Sequence, residues 1–223
     1  MARLQLGLLT ASVACLTGCP YEVADDLFPE PKLPVVMSLD AAWSDKALVG
    51  ADGRLHPSER ATVLGCLDEW NAAVASRLWP GQGPAFAFSG SYVDGEFGRE
   101  KLLDDTSVIY RFPVMTPDIR RLYKEGGYSE TTLGYGIPGR DAFIVISQFD
   151  GLVDRVIDPE WYLLLLRSVA CHELGHVLGL MHQYVRPGVM NPNDAWDAFD
   201  AAGRVVREGD VGSFCLVHPS ACK

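Results

Sequence analysis

One eleven-residue stretch constrains this chain more than any other: His172-Glu173-Leu174-Gly175-His176-Val177-Leu178-Gly179-Leu180-Met181-His182. His172 and His176 are four residues apart, a spacing that stacks two side chains on one face of a helix. Gly179 suits a sharp helix end, because glycine enters the left-handed region without a Cβ penalty. The turn it permits swings His182 back toward the other two histidines. Two imidazoles on one helical face, with a third brought round by a turn, form a donor set for Zn²⁺. Three protein ligands leave a position open for water, whereas a structural zinc site is closed by a fourth protein ligand. Glu173 follows the first histidine, where it can act as general base toward that water.

A bare H-E-x-x-H arises by chance on ordinary amphipathic helices. The longer pattern, with Gly179 and His182 in register, is much harder to obtain that way. Met190 adds to it, eight residues beyond His182 in Gly188-Val189-Met190-Asn191-Pro192. Together these segments resemble the metzincin zinc peptidases, in which the long histidine motif is followed by a methionine turn beneath the metal. The distance from third histidine to methionine is most similar to the matrixin branch.

The resemblance implies an α/β zincin-like domain: a twisted, mixed, mostly parallel sheet, an active-site helix and a methionine turn. It implies a zinc metalloendopeptidase hydrolysing peptide bonds of proteins. His172, His176 and His182 would hold one catalytic zinc ion, with Glu173 as the catalytic base. Gly179 and Met190 would give structural support, Met190 without binding the metal. The resemblance is firm over Cys171–Pro192 and rests on element order alone over residues 35–223. Asn191 stands where matrixins often have tyrosine, and Gln183 where they often have serine, which leaves subfamily and side-chain preference open. Many matrixins carry a second, structural zinc on upstream histidines; only His56 lies upstream here, so no such site is expected.

The 223 residues suffice for one domain with a substantial core. A formal net charge of −10 argues against nucleic acid as a partner and leaves no polybasic membrane patch. Arg3 precedes a short apolar run, Leu4 to Leu16, too short to span a bilayer comfortably. The run ends in Leu16-Thr17-Gly18-Cys19, which resembles the bacterial lipobox whose cysteine becomes the lipidated first residue of the mature protein. The alternative is a plain secretory signal with a chance cysteine. Pro20 rather than aspartate after Cys19 would fit outer-membrane retention in a Gram-negative cell. The expected organisation is a signal peptide over 1–18, a lipidated acidic and proline-rich tether over 19–34 and the catalytic domain over 35–223. The tether leaves no room for an inhibitory pro-domain.

Val35 to Val49 is expected to hold a first strand. Pro57-Ser58 opens a packing helix running to about Leu78, with Ser58 as N-cap and Leu64, Leu67, Asn71, Val74 and Leu78 at helical spacing. Ala85–Ser89, Thr106–Phe112 and Ala142–Ile146 read as strands, the last buried on both faces. Thr132 to Ile137 is glycine-rich. It reads equally as a plain loop or as the edge strand that the resemblance places beside extended substrate. Asp158-Pro159 starts the active-site helix, whose apolar Leu163–Leu166 should be buried all round. A short final helix is expected over Asp210 to Leu216.

His56 and His218 read as surface residues. Asp194, Asp197 and Asp200 could suggest Ca²⁺, but their spacing does not match an EF-hand loop, so a solvated acidic loop is expected. Setting aside Cys15 in the signal and Cys19, the even set Cys66, Cys171, Cys215 and Cys222 suits two disulfides in an oxidising compartment. The resemblance implies Cys171–Cys215, and with it Cys66–Cys222. Cys171 points about 100° away from His172 on the helix and is not expected to bind metal. The competing reading is a lipid-anchored surface binding or assembly protein with a structural zinc. Intact Glu173 argues against that reading, since a structural site needs no base. The expected partners are a protein or peptide substrate and a membrane reached through lipid on Cys19, with the chain a monomer in the bacterial cell envelope, at the outer membrane or cell surface.

Overall fold

A computed structural model describes residues 31–94, 107–125, 132–149, 152–191 and 203–223. The signal segment, Cys19, most of the proposed tether and the acidic positions Asp194, Asp197 and Asp200 lie outside the described residues.

The first strand, β1 (Val35–Asp40), turns Val35, Met37 and Leu39 into the core. A small antiparallel pair follows, β2 (Leu48–Val49) with β3 (Leu55–His56). Ser58 then caps α1 (Glu59–Val74), its side chain accepting from the Ala61 N–H. The expected continuation to Leu78 is not seen; the helix ends at Val74, and Leu78 bridges to Cys222. Asn71 sits in the inward stripe because its amide pairs with both backbone groups of Phe86, at 3.0 and 2.8 Å. That pairing fastens α1 to the start of β4 (Phe86–Val93).

β5 (Ser107–Phe112) is followed by α2 (Pro117–Glu125), β6 (Gly134–Gly136), β7 (Ala142–Val145) and a single 3₁₀ turn over Ile146–Gln148. The sheet order is β4-β1-β5-β7-β6. Its first four strands are parallel, and β6 closes the order antiparallel to β7. All four residues of β7 are buried, as a strand covered on both faces requires. The mixed, mostly parallel α/β sheet is the one anticipated, and the glycine-rich segment resolves as its edge strand.

The active-site helix is α3 (Pro159–Val177), capped by Asp158, whose side chain accepts from the Trp161 N–H at 2.9 Å. It packs with α1 on one face of the sheet, and everything from Ser168 to Val177 is buried. The opposite face carries a second apolar cluster in which Tyr110, Phe112 and Phe143 meet Ile119 of α2. The chain closes with α4 (Glu208–Val217), two residues earlier and one later than expected. Among the described residues no helix is long and apolar enough to cross a membrane.

Two further expectations differ from the structure. The disulfides are Cys66–Cys171 and Cys215–Cys222, not Cys171–Cys215 with Cys66–Cys222. Cys66 faces α3 from the middle of α1, where the Trp70 indole also donates to the Cys171 carbonyl at 2.9 Å. That helix contact brings the two Cα atoms to 5.1 Å, so α1 rather than α4 reaches Cys171. His218 is likewise no surface residue. Only 1% of it is exposed, because it packs on Phe214 with ring centroids 4.7 Å apart.

Candidate metal centre

The structure brings the three histidines of the motif together. The Nε2 atom of His182 lies 3.0 Å from that of His172 and 3.2 Å from that of His176. They are the one group of three or more potential metal-ligating side chains found among the described residues. The two helical ligands are oriented from behind. His172 donates its Nδ1 proton to the Val189 carbonyl at 2.6 Å, and His176 donates its own to the Leu180 carbonyl at 2.7 Å. A committed Nδ1–H leaves Nε2 as a bare lone pair.

That arrangement tests whether a cation fits. His182 has one Nε2 position, which can carry one proton and bridge one neighbour at a time. Neutral rings therefore leave lone pairs facing each other at about 3 Å. A cation between them removes the repulsion. Tetrahedral zinc bonds of about 2.0–2.1 Å separate ligand nitrogens by about 3.3–3.4 Å, close to what is seen. Charge points the same way. Burial pushes the His172 imidazolium down to about 4, against the opposing Val189 carbonyl. Burial, followed by the His172 charge, takes His182 to about 3. His176 falls well below its ordinary value through burial and the charges of both neighbours. All three rings are held neutral, which is the form that binds metal.

Glu173 sits one residue along the same helix and is 3% exposed. Its Oε2 has no hydrogen-bond partner among the described residues. Burial holds its carboxyl well above the usual range, and the Gly136 N–H works in the opposite direction.

The edge strand explains its own glycines at this point. Gly134 and Gly136 face α3, while Tyr135 faces away and stacks near Phe143. A Cβ on Gly134 would lie 2.7 Å from the Glu173 side chain, and one on Gly136 would lie 2.7 Å from His176 Cβ and closer still to the Glu173 carbonyl. The strand can approach the motif only because both residues lack side chains.

Gly179 has φ +82°, as a left-handed helix terminus requires. Its N–H donates to the His176 carbonyl at 2.8 Å and the Leu180 N–H to the Gly175 carbonyl at 3.0 Å, a Schellman pattern. The chain then runs to His182. Met190 is buried below the motif, and a Cβ on Gly175 would collide with its sulfur. Asp210, at the start of α4, accepts from the Val189 N–H at 2.9 Å and the Met190 N–H at 3.0 Å. It thereby holds the turn whose carbonyl orients His172.

Sequence reasoning missed Gly175 and Asp210 as parts of this assembly. Gly175 had a signal: glycine inside a buried helix is unfavourable by about 1 kcal/mol relative to alanine, so it marks a close approach. Asp210 had none, because its partners Val189 and Met190 are distant in sequence. Cys171 lies in the disulfide rather than at the metal cluster, as its helical direction indicated. A cavity of about 550 Å³ near the start of α3, lined by Arg54, His56, Leu163 and Arg167 among others, shares no residue with the cluster.

Residues 148–204 match the family model for matrixin, a stretch that holds the whole motif and the methionine turn but less than half of the chain. The matched stretch carries the three-histidine cluster and the methionine turn, and supports reading the site as that of a zinc metallopeptidase. No curated protein matches the chain. Among solved structures, an archaemetzincin from Methanopyrus kandleri is similar at 18% identity and a TM-score of 0.46, over 82% of this chain and 95% of its own. The ECX AB5 holotoxin in its GM1-bound form is similar at 12% identity and a TM-score of 0.34, over 83% of this chain and 71% of the other. Likenesses this slight say nothing about the chemistry of this chain.

Proposed function

We propose that the chain is a zinc-dependent metalloendopeptidase, held at a bacterial membrane by lipid on Cys19, in which Glu173 is the catalytic base. The observation that carries the catalytic part is a buried carboxylate with an unpartnered oxygen, one residue from a converging three-imidazole cluster. A structural zinc site has no use for such a group, and an unsatisfied buried carboxylate is expensive to keep.

His172, His176 and His182 would hold one ion through their Nε2 atoms. When bound, zinc supplies Lewis-acid polarisation and a lowered pKa for water. The rest falls to the chain itself. Val189 and Leu180 hold the ligand tautomers through their carbonyls. Glu173 removes a proton from the attacking water and delivers it to the leaving amine. In the metal-free protein burial holds its carboxyl above the usual range, and a cation beside it would bring that value down. β6, last in the sheet order and against Glu173, is placed to align an extended peptide.

The anchoring part rests on Leu16-Thr17-Gly18-Cys19 after an apolar run. On this reading the protein belongs to the bacterial envelope, at the outer membrane or cell surface, and meets its substrates there; we take it to act as a monomer.

Two experiments test this reading. Purified protein offered a peptide library should cleave internal bonds, lose that activity to a chelator and regain it with zinc. Persistent cleavage under full chelation, or none with zinc present, would contradict it. In cells given labelled fatty acid, Cys19→Ser should abolish labelling and release the protein from membranes. Unchanged labelling would remove the lipid anchor.

A further inference from the structure

The buried imidazole of His218 takes no part in the chemistry described above. It sits at the end of α4, and its Nε2 lies 2.8 Å from the carbonyl of Leu178, the C-cap of α3. A carbonyl can only accept, so Nε2 carries the proton. The last carbonyls of a helix have no partner within it. At this helix end each recruits a different one. Gly175 and His176 are satisfied by the Schellman pattern, and the Val177 carbonyl by the Gly139 N–H at 2.7 Å. The Leu178 carbonyl is left to His218.

The next residue is Gly179, whose left-handed turn aims the chain at His182. Val217, beside His218, closes on that glycine, since a Cβ there would meet Val217 Cγ1 at 3.3 Å. The imidazole is held in turn. The Cys215–Cys222 disulfide closes a ring of chain around it, and the Ala221 and Cys222 N–H groups both donate to its own carbonyl.

We propose that His218 is a positioning residue for the third metal ligand: by donating to the Leu178 carbonyl it fixes the corner at Gly179 and so the place of His182. The link to metal rests on the zinc reading above; the link to the corner does not. His172 and His176 ride on a buried helix and are ordered by it. His182 stands on an irregular segment, so the order of the cluster depends on what holds the corner.

The test compares His218→Phe, which keeps an aromatic ring without a donor, with His218→Gln, whose terminal amide reaches a similar point and can donate. Hydrogen exchange in the metal-free protein reads the Gly179 and Leu180 amides, and a chelator competition reads zinc affinity. His218→Phe should speed exchange at those two amides at least about tenfold and weaken zinc about tenfold, the lower end of what losing a partner bonded directly to a ligand does. His218→Gln should recover most of both. If His218→Phe does not fold, Cys215→Ser with Cys222→Ser frees the ring that holds the imidazole, and the same amides should exchange faster. Wild-type exchange in His218→Phe, or in the Cys215→Ser, Cys222→Ser variant if His218→Phe does not fold, would overturn the proposal. So would a His218→Gln protein as loose as His218→Phe, since packing rather than the hydrogen bond would then hold the corner. Faster exchange in a protein whose wild type binds no zinc would uphold the corner and overturn the metal reading alone.

Discussion

Two buried glutamates in this domain are treated in opposite ways. Glu59, at the start of α1, is 1% exposed and fully partnered. Arg111 reaches it with two nitrogens at 2.9 and 3.2 Å, and the Tyr162 hydroxyl donates at 2.6 Å. Burial alone would raise its pKa. The bonds from Arg111 and Tyr162, with the charges of Arg111 and Arg155, outweigh burial and hold it below the ordinary value. Glu173 is as deeply buried, yet it keeps an oxygen without a partner and its pKa is raised. Glu59 ties α1, β5 and the first turns of α3 together; Glu173 lies toward the other end of α3, beside the metal cluster. One carboxylate is spent on cohesion, and the other is left available for protons. Unpartnered buried groups persist where function requires them.

The largest expected effect breaks the cohesive side of this contrast. Glu59→Ala leaves Arg111 without its partner and should lower stability by about 3–5 kcal/mol. For a domain of this size that is a fall of roughly 10 °C in Tm, with hydrolysis per folded molecule unchanged. Thermal unfolding followed by an assay below the transition checks both. Equal loss of activity and stability would merge the two roles. Because its folded pKa lies below 4.5, Glu59 contributes stability above that pH and loses it as pH falls through the folded value. Glu59→Gln should therefore flatten the acid side of the stability curve.

The next effect falls on the metal side. His182→Ala should weaken zinc by more than about 100-fold, beyond what loss of a partner behind a ligand does, while the Tm of the metal-free protein holds. Metal titration beside calorimetry decides it. Retained affinity would reduce the site to two histidines.

The smallest effect probes how the reactive side is built. Gly136→Ala drives a Cβ into the Glu173 carbonyl and should push β6 off α3. A loss of about 1–3 kcal/mol is expected from such overpacking, with hydrolysis falling about tenfold. The same change at Gly53, where a Cβ meets nothing within 4 Å but φ is +78°, should lower stability and spare hydrolysis.

How much of this was legible follows from how local each feature is. The histidine motif, its Gly179 terminus and the Asp158-Pro159 start are written in contiguous residues, and each takes the form its local chemistry dictates. The glycines of Gly134-Tyr135-Gly136 left loop and strand open, because only the approach of α3 shows why side chains are forbidden there. The disulfides could not be paired from sequence, since the packing of α1 on α3 selects Cys66 for Cys171. The Glu59 network joins residues up to 103 positions apart, and nothing in local pattern points to it. His218 looked like a surface residue because a lone histidine near a C-terminus carries no sign of its burial.

The central claim is that Glu173 is kept for proton transfer and not for metal binding or cohesion. Glu173→Gln preserves shape and removes the base, so metal content, Tm and peptide hydrolysis should be measured on the same preparation. The account predicts about one zinc per chain, a Tm equal to or above that of the wild type because a neutral amide is easier to bury than an unpartnered carboxylate, and hydrolysis lower by about 100-fold or more. A variant that keeps its zinc and cleaves peptide at the wild-type rate would contradict it.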